Sequence, residues 1–148
     1  MNKIYLCLIT FISFSLVAKQ ITNDIYVNSS NIYYDKEKNI VNLGENSLIN
    51  YQTATIKTDE GIIDVNNKKI TIDGNFYLNY SNDIMKGESL KADLNFNEGS
   101  AINVNYIFDK ELKINSKYLY KKNNNITFLD SFFTRCDLNG YFSCPTWS

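Results

Sequence analysis

From residue 21 onward, apolar side chains recur at every second position. Ile70, Ile72, Phe76, Leu78 and Tyr80 share one parity, interrupted only at Gly74. Leu90, Ala92, Leu94 and Phe96 repeat the pattern, as do Ile102, Val104, Tyr106 and Phe108. Shorter runs follow at Leu112 and Ile114, at Tyr118 and Tyr120, and at Ile126 and Phe128. The positions between them are mostly Asp, Asn, Lys, Thr or Ser. Helical spacing does not hold, since 70, 73, 74 and 77 read Ile, Asp, Gly and Tyr. A period of two marks β-strands with one buried face. Polar clusters such as Asp35 to Asn39, Asn66 to Lys69 and Lys121 to Asn125 supply the turns between them. The pattern predicts an all-β chain with no helix beyond Ala18.

The strands repeat. Ile32, Ile40 and Gly44 correspond to Ile62, Ile70 and Gly74 at an offset of 30, and Leu90 corresponds to Tyr118 at an offset of 28. A unit of two or three strands cannot bury its apolar face alone, so the repeats predict stacked units sharing one continuous interior. An ordinary antiparallel sandwich is the alternative architecture.

The start of the chain reads as a secretory signal over residues 1–18. Lys3 precedes the apolar run Ile4 to Val17, and Ala18 offers a small residue for cleavage. That run is shorter than the roughly 20 residues of a spanning helix. An uncleaved anchor is the competing reading, because Leu16 stands three residues before the expected cut. Export places Cys136 and Cys144 in an oxidising compartment, where cysteines commonly form disulfides.

Composition narrows the function. A net charge of −1 leaves no basic excess for a nucleic-acid partner. The sequence contains no His, which removes Ser-His-Asp and Cys-His arrangements and the commonest general base. Two exported cysteines without His do not make a zinc site. No phosphate-binding glycine loop occurs, and the acidic residues fall at turns or on polar strand positions. We therefore expect no catalytic residue, no metal and no cofactor. The abundance of Asn reads first as genomic base composition.

Two stretches carry a family resemblance. IYYDKEKNIVNLGEN and IIDVNNKKITIDGNFYLNY resemble the OstA-type repeat of lipopolysaccharide-transport proteins. The ending ITFLDSFFTRCDLNGYFSCPTWS resembles the segment that joins the periplasmic domain to the barrel in the LptD family of outer-membrane lipopolysaccharide-assembly proteins. Phe133-Thr134-Arg135-Cys136 and Cys144-Pro145-Thr146-Trp147 are the matching residues. The resemblance implies an open, clamp-like β-jellyroll over residues 19–130, then a Cys-containing connector over 131–148. A barrel is expected beyond Trp147, so the 148 residues are expected to be a fragment or the product of an early stop. Cys136 matches the family's periplasmic cysteine, and Cys144 either bridges to it or awaits another partner.

The resemblance further implies passive handling of lipopolysaccharide at the periplasmic face of the outer membrane. Acyl chains would lie against one strand parity. The inward candidates are Ile70, Ile72, Phe76, Leu78, Leu90, Leu94, Ile102, Val104, Tyr106, Ile114, Tyr118 and Phe128. Expected partners are a periplasmic bridge protein of the same fold, added edge to edge, and an outer-membrane lipoprotein that accompanies the barrel. The rival readings are a stand-alone bridge protein and a closed structural β-sandwich.

Overall fold

The computed structural model describes residues 24–109 and 112–135. The expected signal peptide, Cys136, Cys144 and the remainder of the connector lie outside the described residues.

The described residues form thirteen strands and no helix. β1 (Ile25–Asn28), β4 (Ser47–Tyr51), β5 (Ala54–Thr58), β8 (Phe76–Tyr80) and β9 (Asp83–Gly87) make one arm. β2 (Ile32–Asp35), β3 (Ile40–Leu43), β6 (Gly61–Asp64), β7 (Lys69–Ile72) and β10 (Ser89–Asp93) make the other. β11 (Glu98–Phe108) joins the arms: Ser89 to Ala92 pair with its first half, and Ile84 to Lys86 with its second. β12 (Leu112–Lys122) and β13 (Asn125–Arg135) follow β11 along its whole length. All pairings are antiparallel, and the sheet folds back on itself so that both arms share one apolar cluster. This is the open β-jellyroll expected from the sequence. β13 runs as one strand across residue 130, and residues 131–135 pair with β12.

Each winding consists of a hairpin in one arm, a corner, a hairpin in the other arm and a second corner. Three backbone bonds fix its step. Val65 N, Leu94 N and Asn123 N donate to the carbonyls of Asn39, Lys68 and Asn97, each set advancing by 29 rather than by 30 or 28. Asp35, Asp64 and Asp93 keep the same step, each carboxylate accepting backbone N–H groups of the turn that follows. The Lys38 N–H foremost holds the Asp35 carboxyl below the usual carboxylate range, and the Asn67 side-chain amide, then its backbone N–H, does the same for Asp64.

The difference of one position matters because side chains alternate between faces. Ile62 is the sequence-matched partner of Ile32, yet it faces outward at 41% exposure while Ile63 is 1% exposed. In the ladder, Val41 and Leu43 stand across from Ile63 and Gly61 in β6, and Ile70 and Ile72 take their places one winding later. Likewise the counterpart of Leu90 in the next winding is buried Leu119, not Tyr118.

The corners are built from small polar residues. Ser29, Thr58 and Ser116 occupy equivalent corner places in successive windings, with Gly87 in the place between the last two. Each of the three hydroxyls donates to the carbonyl two positions on, at 2.7–2.8 Å. The single hydroxyl protons of Thr58 and Ser116 are shared with a second carbonyl across the corner, at Asn75 (3.1 Å) and Leu129 (2.8 Å). At Gly87 a Cβ would lie 2.8 Å from both Ile102 O and Phe76 Cε1, so no hydroxyl residue fits. Among the described residues, most non-glycine positions with positive φ are Asn or Asp, including Asn39, Asn46, Asn103, Asp109, Asn123 and Asp130 at hairpin ends and corners. The Asn content therefore has a structural use, since short polar side chains tolerate the left-handed conformation.

Candidate functional site

The space between the arms is the one feature built by the entire winding pattern. Ile49, Ile56 and Leu78 enter it from the first arm, and Ile63, Ile70, Ile72 and Leu90 from the second. Of the predicted inward residues, Ile70, Ile72, Phe76, Leu78, Leu90, Leu94, Val104 and Tyr106 are buried there, and Ile114 and Phe128 pack against them half-buried.

Ile102 and Tyr118 are corrections. The ladder registers Ile102 opposite Tyr118, and Tyr118 opposite Leu129, on the outer face. Ile102 is 40% exposed, and Lys117 Nζ sits 5.4 Å from the Tyr118 ring centroid. The cause is the bend through β11, β12 and β13. Asn103 and Asp130 take positive φ, and residues 103 and 117 drop out of the ladder. Parity switches there, so Ala101 and Val104 both point inward. Alternation alone cannot register a switch made by one left-handed residue. Ala101 and Leu119 escape sequence reasoning for that reason. Ile49, Ile56 and Met85 also belong to the interior, and their alternation within β4, β5 and β9 is the available signal.

The mouth between the arms is bridged by aromatic residues. Tyr80 of the first arm meets Phe96 of the second with ring centroids 5.4 Å apart, and Lys121 Nζ lies 5.4 Å from the same Tyr80 ring. Tyr106 meets Phe128 edge-on at 5.6 Å. Tyr51, the counterpart of Tyr80 one winding earlier, donates to Asn95 Oδ1 across the gap at 3.4 Å. Phe96 makes its contact from a positive φ of 55°, which a bulky residue adopts at a cost of about 1–2 kcal/mol. Behind the mouth, Tyr106 donates a 2.6 Å hydrogen bond to Asp83 Oδ2. Burial, then that carboxylate, pushes the phenol well above its ordinary pKa.

At the two ends the interior is uncapped among the described residues. Ile32 and Tyr34 of β2, and Phe133 of β13, stand on inner-face register positions yet are exposed, because no further described strand covers them. The arrangement offers a through-going apolar seam with polar corners outside. Where it is exposed, at the two ends and at the mouth, it can take hydrocarbon out of water at about 25 cal/mol per Å², and it presents no charge-relay or ligand cluster among the described residues.

These features define an open β-jellyroll with an apolar interior running from end to end. The same fold is seen in LptH from Pseudomonas aeruginosa, described as the LptA-homologous periplasmic component of the conserved lipopolysaccharide transport device. The TM-score is 0.61 at 11% identity, covering 85% of this chain and 95% of that one. No family model matches the sequence, and no curated protein matches it.

Proposed function

We propose that this chain is an exported component of lipopolysaccharide transport that holds acyl chains between its two arms and passes them on without chemistry. The observation that carries the reading is the apolar interior, uncapped at both ends among the described residues, in a fold shared with LptH. Among the described residues β1 and β2 end the sheet at one side and β13 at the other, an arrangement that suits a bridge protein of the same fold adding strand to strand.

The finer assignment is to the periplasmic entry domain of an LptD-type translocon, handing lipid to a barrel beside its lipoprotein partner at the outer membrane. Its support is Phe133-Thr134-Arg135-Cys136 and Cys144-Pro145-Thr146-Trp147, with disulfide bonding of Cys136 and Cys144 as part of that reading. A stand-alone bridge protein is the second reading, favoured by the coverage of 95% of the LptH chain.

The test is to export the chain in cells that make lipopolysaccharide, purify it without detergent and analyse extracted lipid by mass spectrometry. Lipopolysaccharide should co-purify with the chain, and Phe128→Asp, which charges the interior at a half-buried site, should remove it. A folded chain that carries no lipid contradicts the proposal.

A further inference from the structure

The interior changes character between windings. In the second winding Ile63, Ile70 and Ile72 fill it, each at most 1% exposed. One winding later the same three places carry Ala92, Gly99 and Ala101. Three large side chains have become three small ones, and at Gly99 the space for a Cβ is taken by Lys91 O at 2.8 Å and Ala92 Cβ at 2.9 Å. At this level a small cleft, with a cavity volume of about 50 Å³, lies between Leu78, Met85, Leu90, Ala92, Gly99 and Leu119 and opens to the surface. Tyr80 and Phe96 stand at its mouth.

One register step further, Lys121 occupies an inner-face position directly opposite Gly99. It has no carboxylate partner: the sole ion pair among the described residues is Lys38–Asp35. Its ammonium rests on the Tyr80 ring instead. Of the carboxylates beside the cleft, Asp83 is engaged by the Tyr106 hydroxyl and the Asp109 N–H. Glu98 registers with Lys122 on the outer face. A lysine on the apolar face of a strand needs a reason, because desolvating its charge costs free energy unless an anion meets it.

We propose that the third winding holds a discrete amphiphile site. A single acyl tail enters the cleft lined by Ala92, Gly99, Leu90 and Leu119. An anionic headgroup, phosphate or carboxylate, replaces the Tyr80 ring as the partner of Lys121. The second winding is solid core and takes no tail. This inference rests on the lipid-binding reading above and locates the site within it.

The experiment is titration of the full chain, with methyl groups labelled for NMR, using dodecyl phosphate, dodecanoate and dodecyl maltoside below their micelle concentrations. Signals of Leu78, Met85, Leu90 and Leu119 should shift while those of Ile49 and Ile56 stay in place. Both anionic probes should bind roughly fivefold tighter than the maltoside, the scale of one partly exposed ion pair. Lys121→Gln should erase that preference and leave maltoside binding unchanged. Ala92→Ile, which restores the residue of the preceding winding, should block all three probes in a chain whose spectrum remains folded. A phosphate-only preference assigns the headgroup to phosphates, and equal affinity for both anions assigns it to anions generally; either supports the site. Equal shifts at Ile49 and Ile56, an anion preference that survives Lys121→Gln, or undiminished binding in Ala92→Ile overturns the site while leaving lipid binding intact. No binding of any probe overturns both.

Discussion

Tyr106 and Asp83 are tied by a 2.6 Å hydrogen bond that links the second half of β11 to the start of β9 at the mouth of the interior. The folded state keeps the phenolic proton at pH values where an unfolded chain, titrating near pH 10, loses it. Stability from this group is therefore complete below about pH 10 and declines as pH rises beyond it. Urea unfolding from pH 8 to 11 should show that decline in the wild type and a shallower one in Tyr106→Phe. At pH 8 Tyr106→Phe should cost about 1–3 kcal/mol, the range for a hydrogen bond to a charged group left unmade. Identical pH slopes in the two proteins would remove Tyr106 from the account.

The corner hydroxyls make a second prediction. Thr58→Val keeps the volume but leaves the carbonyls of Glu60 and Asn75 without their donor. The same holds for Ser116→Ala and the carbonyls of Tyr118 and Leu129. Each change should lower the unfolding free energy by about 1–3 kcal/mol. Ser29→Ala, at a half-buried corner where the hydroxyl donates to one carbonyl and accepts from Ser47, whose hydroxyl keeps the Gly44 carbonyl, should cost less.

Gly87 tests the same seam from the other side. Gly87→Ala drives a methyl into Ile102 O and the Phe76 ring, so thermal unfolding should report a loss of about 1–3 kcal/mol. An unchanged midpoint would mean that the corner is looser than described.

Much of the fold is legible in the sequence because the period-two pattern is strong wherever a strand stays in one arm. Alternation alone assigns Ile70, Ile72, Leu78 and Leu90 to the interior, and they are there. Two things are hidden. The repeat reads as 30 because Ile32 and Ile62, Ile40 and Ile70, and Gly44 and Gly74 coincide by residue type, while the ladder and the turn aspartates step by 29. The long strands conceal a parity switch, because Asn103 and Asp130 look like ordinary polar positions until their backbone turns left-handed. Of the site, the apolar wall is readable. The thinning from Ile63, Ile70 and Ile72 to Ala92, Gly99 and Ala101 becomes visible only with the correct step.

The parity switch has its own test. Ile72→Ala removes a fully buried side chain and should cost about 2–5 kcal/mol. Ile102→Ala, on the outer face beside the switch, should stay within about 0.5 kcal/mol. Equal penalties would return Ile102 to the interior.

The central claim is that lipid lies between the arms, and β13 offers both faces for testing it. Phe128 packs against the interior and Phe132 is exposed on the outer face. Replacing each in turn with the photoreactive analogue benzoylphenylalanine, in cells that make lipopolysaccharide, changes little else about either site. Irradiation should crosslink lipopolysaccharide to position 128 and leave position 132 unlabelled. Labelling at 132 alone, or at neither in a folded and exported chain, would contradict the account.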